Sequence, residues 1–192
     1  MSELKIGITW NCFTSGFTSG FQQSVKNIYS AKEVKNYDLI IFSGGEDISP
    51  EIYNEPNISS YINPRRDKFE ISILKECFDL NKKIFGVCRG HQLINAYCGG
   101  KLNQDIIPRH GGSHFINIIN DNNIINYYKD KSVSSLHHQA VSIPGNDFEI
   151  LAVHDILNTI EATKYGDNIL TVQFHPETQS YIEFFNLVKE WC

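Results

Sequence analysis

Cys88 stands between two glycines in Gly86-Val87-Cys88-Arg89-Gly90, directly after the apolar run "KIFGV" and directly before the helix-like run "RGHQLINAY". This G-x-C-x-G spacing is the cysteine counterpart of the turn that holds a serine nucleophile on a sharp strand-to-helix corner. Small residues are needed two before and two after the nucleophile, because the backbone folds back on itself there. The corner sets the sulfur near a helix N-terminus, whose partial positive charge suits a thiolate. It also aims the backbone N–H of Arg89 where an oxyanion would form. A free cysteine after a strand can equally be a small, inert core residue. The glycines bring the two readings level, and a base must decide. In "QFHPE", His175 ends an apolar run, Pro176 fixes it, and Glu177 follows two residues after the imidazole. Those are the parts of a general base and the carboxylate that orients it. His-Pro-Glu alone is a surface turn more often than not, and nothing in the sequence shows that His175 reaches Cys88.

Other chemistry-bearing residues are fewer. His110 and His114 in "RHGGSH" are four apart. Two glycines between them exclude a helix, and no third ligand is evident, so no metal is expected. Arg65, Arg66 and Arg109 read either as solvated surface or as contacts to an anionic leaving group, since guanidinium suits phosphate. Cys12, Cys77, Cys98 and Cys192 read as packing or terminal residues. No C-x-x-C pair exists, which removes zinc ribbons and thioredoxin-type motifs.

The elements that must position these groups follow from the apolar pattern. The chain has 192 residues, 41% hydrophobic and 20% charged, which suits one domain over 1–192 with a sizeable core. "LKIGIT" and "DLIIFSGG" are continuous apolar runs, as in parallel strands covered on both faces. "FTSGFTSGF" reads as a glycine-punctuated loop bordering the site, and Phe21, Val25, Ile28 and Tyr29 fall at helical spacing. Phe69, Ile73, Cys77 and Leu80 predict a helix after Pro64. Gly99 and Gly100 end the helix that follows Cys88. "HFINII", "SVSSL", "FEILAVH", "TIEATKY" and "NILTVQF" predict short strands, and Ser180 to Trp191 a last helix. The sum is a three-layer α/β domain with a mixed sheet. A net charge of −5 with no basic run argues against nucleic acid. No apolar run spans a membrane, and no signal core is seen. The odd cysteine count fits reduced thiols in the cytoplasm.

Taken together, these blocks resemble the class I glutamine amidotransferase superfamily, and within it the γ-glutamyl hydrolase (peptidase C26) branch. The likeness rests on "SGGEDISPEIYNE", "RRDKFE", "GVCRGHQLINAYCGGKLNQDI", "SLHHQAV", "IEATK" and "QFHPE", which occur in the family's order over most of the chain. It implies a flavodoxin-like α/β/α fold with a mixed, mostly parallel sheet. It implies Cys88 as nucleophile, His175 as base and Glu177 as its orienter, with the N–H groups of Gly45 and Arg89 as oxyanion hole. Gln92 matches the position that contacts the α-amino acid end of the glutamyl group, and Leu136, His137 and His138 would line the same pocket. No cofactor is implied. The partner is a small γ-glutamyl substrate: γ-glutamyl-γ-aminobutyrate, or a nucleotide-linked compound whose phosphates would give the arginines a role. Homo-oligomerisation stays open. The regions between the first strand and "DLIIFSGG", and between "IIPRHGG" and "SLHH", are short for the branch and point to a trimmed site. The rivals are a glutaminase subunit feeding ammonia to a synthase, and a non-enzymatic relative.

Overall fold

The computed structural model describes residues 3–10, 13–106, 110–179 and 181–192. In chain order the elements are β1 (Ile6–Thr9), α1 (Thr14–Phe21), β2 (Val25–Ile28), β3 (Leu39–Phe42), α2 (Pro64–Asp79), β4 (Lys83–Val87), α3 (Arg89–Tyr97) and β5 (Lys101–Asn103). There follow β6 (His110–His114), β7 (Ile116–Ile118), β8 (Val133–His137), β9 (Ala140–Ile143), β10 (Glu149–His154), β11 (Ile160–Tyr165), β12 (Ile169–Val172) and α4 (Ile182–Trp191). Short 3-10 turns at Ala31–Asn36, Pro50–Tyr53, Ile125–Tyr128 and Pro176–Thr178 complete the path.

An eight-stranded sheet runs β2-β1-β3-β4-β12-β11-β10-β7. The strands from β2 to β12 pair parallel, and β11, β10 and β7 pair antiparallel. Strand β3 shows why its run is apolar throughout. Leu39 and Ile41 join a core with Phe17, Phe21, Phe184 and Phe185 of α1 and α4. Ile40 and Phe42 join a second core with Ile73, Leu74, Leu93 and Ile94 of α2 and α3. The sheet is thus covered on both faces, giving the three layers. Two small ribbons, β5-β9 and β6-β8, stand beside it. Among the described residues no helix is long and apolar enough to cross a membrane.

Two expectations are corrected at the N-terminal end. The stretch read as a loop, Thr14–Phe21, is helix α1, and the residues read as helical, Val25–Ile28, are strand β2 in parallel register with Ile6–Thr9. The glycines of α1 are close-packing positions rather than turn residues. A Cβ on Gly16 would lie 2.7 Å from the Glu177 carbonyl oxygen, and one on Gly20 would lie 2.3 Å from the Phe185 ring. Each glycine costs a helix about 1 kcal/mol relative to alanine, and burial of Phe17 and Phe21 against α4 offsets it. "HFINII" also divides, into β6 and β7 on different sheets.

The parallel order places β1 between β2 and β3, so the chain leaves β1 in one direction and β3 in the other. Ligands of open α/β sheets bind beyond the strand carboxyl ends at such a switch point. Residues beyond β1, β3, β4 and β12 converge there. Gly90 is what lets α3 start so close to β3, since a Cβ would lie 2.1 Å from the Phe42 carbonyl oxygen. Gly90→Ala is therefore expected to lower stability by at least about 2 kcal/mol in urea unfolding, because backbone cannot rotate away from the clash. Gly111→Ala, where a Cβ meets nothing within 4 Å, should stay within about 0.5 kcal/mol.

Candidate active site

Cys88 occupies the corner between β4 and α3 with φ 51° and ψ −105°. A left-handed φ is unfavourable for any residue with a Cβ, and it persists only where the surroundings impose it. Here the imposition is visible. The Cys88 N–H donates to the Val172 carbonyl at 2.8 Å, and its own carbonyl accepts from the Gln92 N–H at 3.1 Å. A Cβ on Gly86 would lie 2.7 Å from the Ile94 side chain. Arg89 is the first residue of α3, so its N–H has no intrahelical acceptor.

His175 follows β12, and its N–H donates to the Ser134 carbonyl of β8 at 2.8 Å. Its Nδ1 lies 2.7 Å from Glu177 Oε1, and both side chains are buried. Cys88 and His175 both flank the Gly44 backbone. Cys88, His175 and Glu177 are thus gathered at one end of the sheet. Burial alone would lower the basicity of His175. Hydrogen bonds to Cys88 and Glu177, with the charges of the same two groups, outweigh it and raise the pKa to about 10. Burial pushes the thiols of Cys77 up to about 12 and of Cys98 to about 11, so neither offers a thiolate near neutral pH. His91, in the elbow helix, is no rival base: burial pushes it down to about 3, and its Nδ1 is 2.7 Å from Thr171 Oγ1.

The loop after β3 supplies the third side of the site. A Cβ on Gly44 would lie 2.8 Å from His175 Cε1 and 3.6 Å from Cys88 Cβ, so this backbone sits against both. The Arg66 guanidinium, fully buried, donates to the carbonyls of Ser43 at 3.1 Å and Gly44 at 2.9 Å. C=O and N–H point oppositely across a trans peptide. Drawing the Gly44 carbonyl toward Arg66 therefore turns the Gly45 N–H the other way. Gly45 has φ +143°, and a Cβ there would lie 2.0 Å from Arg66 Nη1, so only glycine fits. Glu70 holds the arrangement together. It accepts from Arg66 Nε at 3.3 Å, from Thr9 Oγ1 at 2.7 Å and from the Arg89 guanidinium. Arg89 also pairs with Asp67, whose other oxygen accepts from Ser49 Oγ at 2.5 Å. One buried network thus fixes the β3 loop, the start of α2 and the residue after Cys88.

A family model, Peptidase C26, matches residues 21–177. The chain belongs to the Peptidase C26 family. Among related proteins, the glutamine amidotransferase-like protein YvdE of Lactococcus lactis subsp. lactis is 31% identical, over 95% of this chain and 86% of that one. The gamma-glutamyl-CDP-amidate hydrolase of Campylobacter jejuni is 31% identical, over 79% of this chain and 68% of that one. A GMP synthase subunit from Thermoplasma acidophilum superposes with a TM-score of 0.73 at 19% identity, covering 99% of this chain and 98% of that one. The fold is therefore that of the class I glutamine amidotransferases, and the family is one of hydrolases.

In this Peptidase C26 protein the structure brings Cys88, His175, Glu177, Gly45 and Arg89 to one place. Gln92 is buried beside them and donates its amide to the Gln139 carbonyl and to Gln173 Oε1, both at 3.1 Å. The Leu136–His138 segment therefore runs between two anchors, Ser134 at His175 and Gln139 at Gln92. Leu136 is exposed at 77%. His137 Nδ1 lies 2.8 Å from the Gln139 carbonyl, and the ring nitrogens of His138 lie 3.0 Å from Asp47 and 3.2 Å from Asp105. Arg66 is a correction: buried and bonded inside the protein, it does not meet a leaving group. Arg65 stands exposed at the start of α2. Arg109 and the His110 side chain lie outside the described residues, as does Cys12. His114 stacks on His154 with ring centroids 4.1 Å apart and lies 3.5 Å from Glu161. Among the described residues no group of three or more His, Cys, Asp and Glu could hold a metal ion. Two features escape a reading of the sequence. Phe13 packs on His175; the pattern sets its stretch beside the site but does not signal this contact. The Asp67–Glu70 pair does leave a signal in "RRDKFE", whose spacing puts Arg66 and Glu70 on one helical face.

Removing Glu70 leaves two buried guanidiniums short of a partner. Glu70→Ala should destabilise the protein by about 3–5 kcal/mol in denaturant unfolding, whereas Glu55→Ala, which breaks an exposed pair with Lys101, should change it by less than about 1 kcal/mol. His175 gives a second expectation. Its folded pKa, about 10, is raised above the ordinary value of 6.5. Its stabilising contribution is therefore full below the unfolded value and lost as pH rises through the folded one. Nitrogen-15 NMR should show the imidazolium persisting well above neutral pH, and Glu177→Gln and Cys88→Ala should each move its titration to lower pH.

Proposed function

We propose that the protein hydrolyses γ-glutamyl amides by covalent catalysis at Cys88. The observation that carries this reading is the placement of His175, held by Glu177 and sharing the Gly44 backbone with Cys88. The Cys88 thiolate attacks the γ-carbonyl carbon. The carbonyl oxygen takes the electron pair as an oxyanion facing the N–H groups of Gly45 and Arg89; each such donor is worth about 3–4 kcal/mol in the transition state. The C–N bond breaks as the His175 imidazolium gives its proton to the departing nitrogen. Water then attacks the thioester, His175 takes its proton, and the C–S bond breaks to release glutamate. The Gln92 amide nitrogen is engaged within the protein, so the group it offers is its carbonyl oxygen, an acceptor suited to the substrate's α-ammonium.

Two further readings concern the leaving group and the setting. The name of the Campylobacter relative suggests γ-glutamyl-CDP-amidate, with glutamate and cytidine diphosphoramidate as products. With Arg66 held inside, Arg65 is the exposed one of the described arginines that could meet its phosphates. The likeness in fold to the Thermoplasma GMP synthase component favours instead a glutaminase that passes ammonia to a partner.

Glutamate release from L-glutamine, γ-glutamyl-γ-aminobutyrate and γ-glutamyl-CDP-amidate decides among them, with Cys88→Ala as blank. Cys88→Ala should lower kcat at least about a thousandfold while the far-UV spectrum is retained. Substantial release by that variant would remove Cys88 as nucleophile. Preference for the nucleotide substrate, with a raised KM in Arg65→Ala, would support the phosphate reading. Turnover of glutamine only when a synthase is added would support the ammonia-transfer reading.

A further inference from the structure

Phe13 packs against His175 and the β3 loop at the edge of the site. Its ring meets the His175 imidazole in a tilted, edge-type contact, 5.6 Å between centroids at 62°. Its Cε2 lies 3.5 Å from where a Cβ on Gly44 would stand, and His175 Cε1 lies 2.8 Å from the same point. Phe13, His175 and the β3 loop therefore share one corner of the site. Glu177 holds one nitrogen of His175, and Cys88 lies beside the same Gly44 backbone. A nitrogen that receives the imidazolium proton must come within hydrogen-bond reach of that ring, and its substituent passes beside Phe13.

Three observations argue that this ring is more than packing. Phe13 is 49% exposed, so a free apolar face remains toward solvent beyond its contact with His175. It sits at φ 59°, ψ 18°, directly before α1, a left-handed conformation that is a genuine outlier for so bulky a residue. Such strain persists where the surroundings over-determine it, and it concentrates at functional sites. Finally, Phe13 and nearly all of α1 precede residue 21, where the family match begins, so this wall belongs to the part of the chain outside the matched family pattern.

We infer that Phe13 is a specificity-determining residue that selects γ-glutamyl amides whose departing nitrogen carries an aromatic or extended apolar group. An aromatic substituent stacks on or packs edgewise against the exposed ring face, while a phosphoryl group set against that apolar face would lose hydration. The inference rests on the γ-glutamyl hydrolase reading above and favours its uncharged leaving groups.

The test compares γ-glutamyl-benzylamide with γ-glutamyl-methylamide, two amides that differ chiefly in the apolar surface their nitrogen carries, in the wild type, Phe13→Ala and Phe13→Trp. The ratio of kcat/KM values should favour benzylamide in the wild type, fall about fivefold in Phe13→Ala and be kept in Phe13→Trp. An unchanged ratio in Phe13→Ala, or a parallel loss on both substrates, would overturn the inference and leave Phe13 as a support for His175. Absence of glutamate release from either substrate by the wild type would instead defeat the hydrolase reading. In that case alkylation at the Cys88 peptide by N-benzylmaleimide against N-methylmaleimide still reads the wall. Loss of the benzyl preference in Phe13→Ala supports the inference, and equal preference in both proteins overturns it.

Discussion

The Glu70 carboxylate is where the fold and the candidate site become one object. It is fully buried, and two guanidiniums and the Thr9 hydroxyl converge on it. Taking such charges out of water is costly, and a buried pair is often no more stabilising than apolar residues of the same volume. Its value here is geometric. Arg66 reaches the carbonyls of the β3 loop, Arg89 is the residue after Cys88, and Glu70 fixes the distance between them. An apolar replacement could fill the same space, but it could not turn the Gly44–Gly45 peptide, because only a donor at that point draws the Gly44 carbonyl inward. The network therefore specifies an orientation of backbone dipoles that packing alone would leave open.

The strained corner at Cys88 depends on the same restraint from the other side. The residue is held in a left-handed conformation by the ladder bond to Val172 and by the first helical bond to Gln92. Both glycines of the elbow have lost their space to neighbours, one to Ile94 and the other to Phe42. Phe42 ends β3, and the loop it feeds is the one Arg66 holds. Elbow, loop and network thus lean on one another, and none is placed by a local preference of its own sequence. His175 is set by a third route, from β12 through its N–H to Ser134 and its Nδ1 to Glu177. Gly16 lets α1 approach that last segment closely enough to hold it.

The parts of the molecule that sequence reveals are those where local pattern and tertiary role agree. Continuous apolar runs mark β1, β3 and β4. Helical spacing marks α2 and α4, and paired glycines mark the elbow and the end of α3. The failures share a cause. In Thr14–Phe21 the glycines are there for helix contacts with Glu177 and Phe185, and a glycine that packs looks the same in sequence as a glycine that turns. In Val25–Ile28 the two apolar ends are three apart, which fits a helix face; strand pairing with β1, invisible locally, overrides it. Strands β5 and β9 escape notice because they exist through one another rather than through any run of apolar residues. For the site, residue types point to Cys88, His175 and Glu177, yet the roles of Arg66 and Phe13 are hidden. An arginine that braces a loop and one that meets a phosphate carry the same letter, and only burial tells them apart.

Charge around the site is divided between an inward set and an outward set. The guanidiniums of Arg66 and Arg89 face inward and are paired. The carboxylates of Glu46 and Asp105, in contrast, reach the surface. Burial opposes ionisation of Glu46, yet hydrogen bonds from Arg66, its own backbone and Asn63 bring its pKa down to about 2, and its side chain remains 44% exposed. Asp47 and Asp105 flank His138 on the neighbouring segment. Acidic groups so placed attract cations and repel anions at short range, though salt screens the effect beyond roughly 10 Å. Inward-facing guanidiniums thus shape the backbone, while the acidic groups on the neighbouring segments stay open to water.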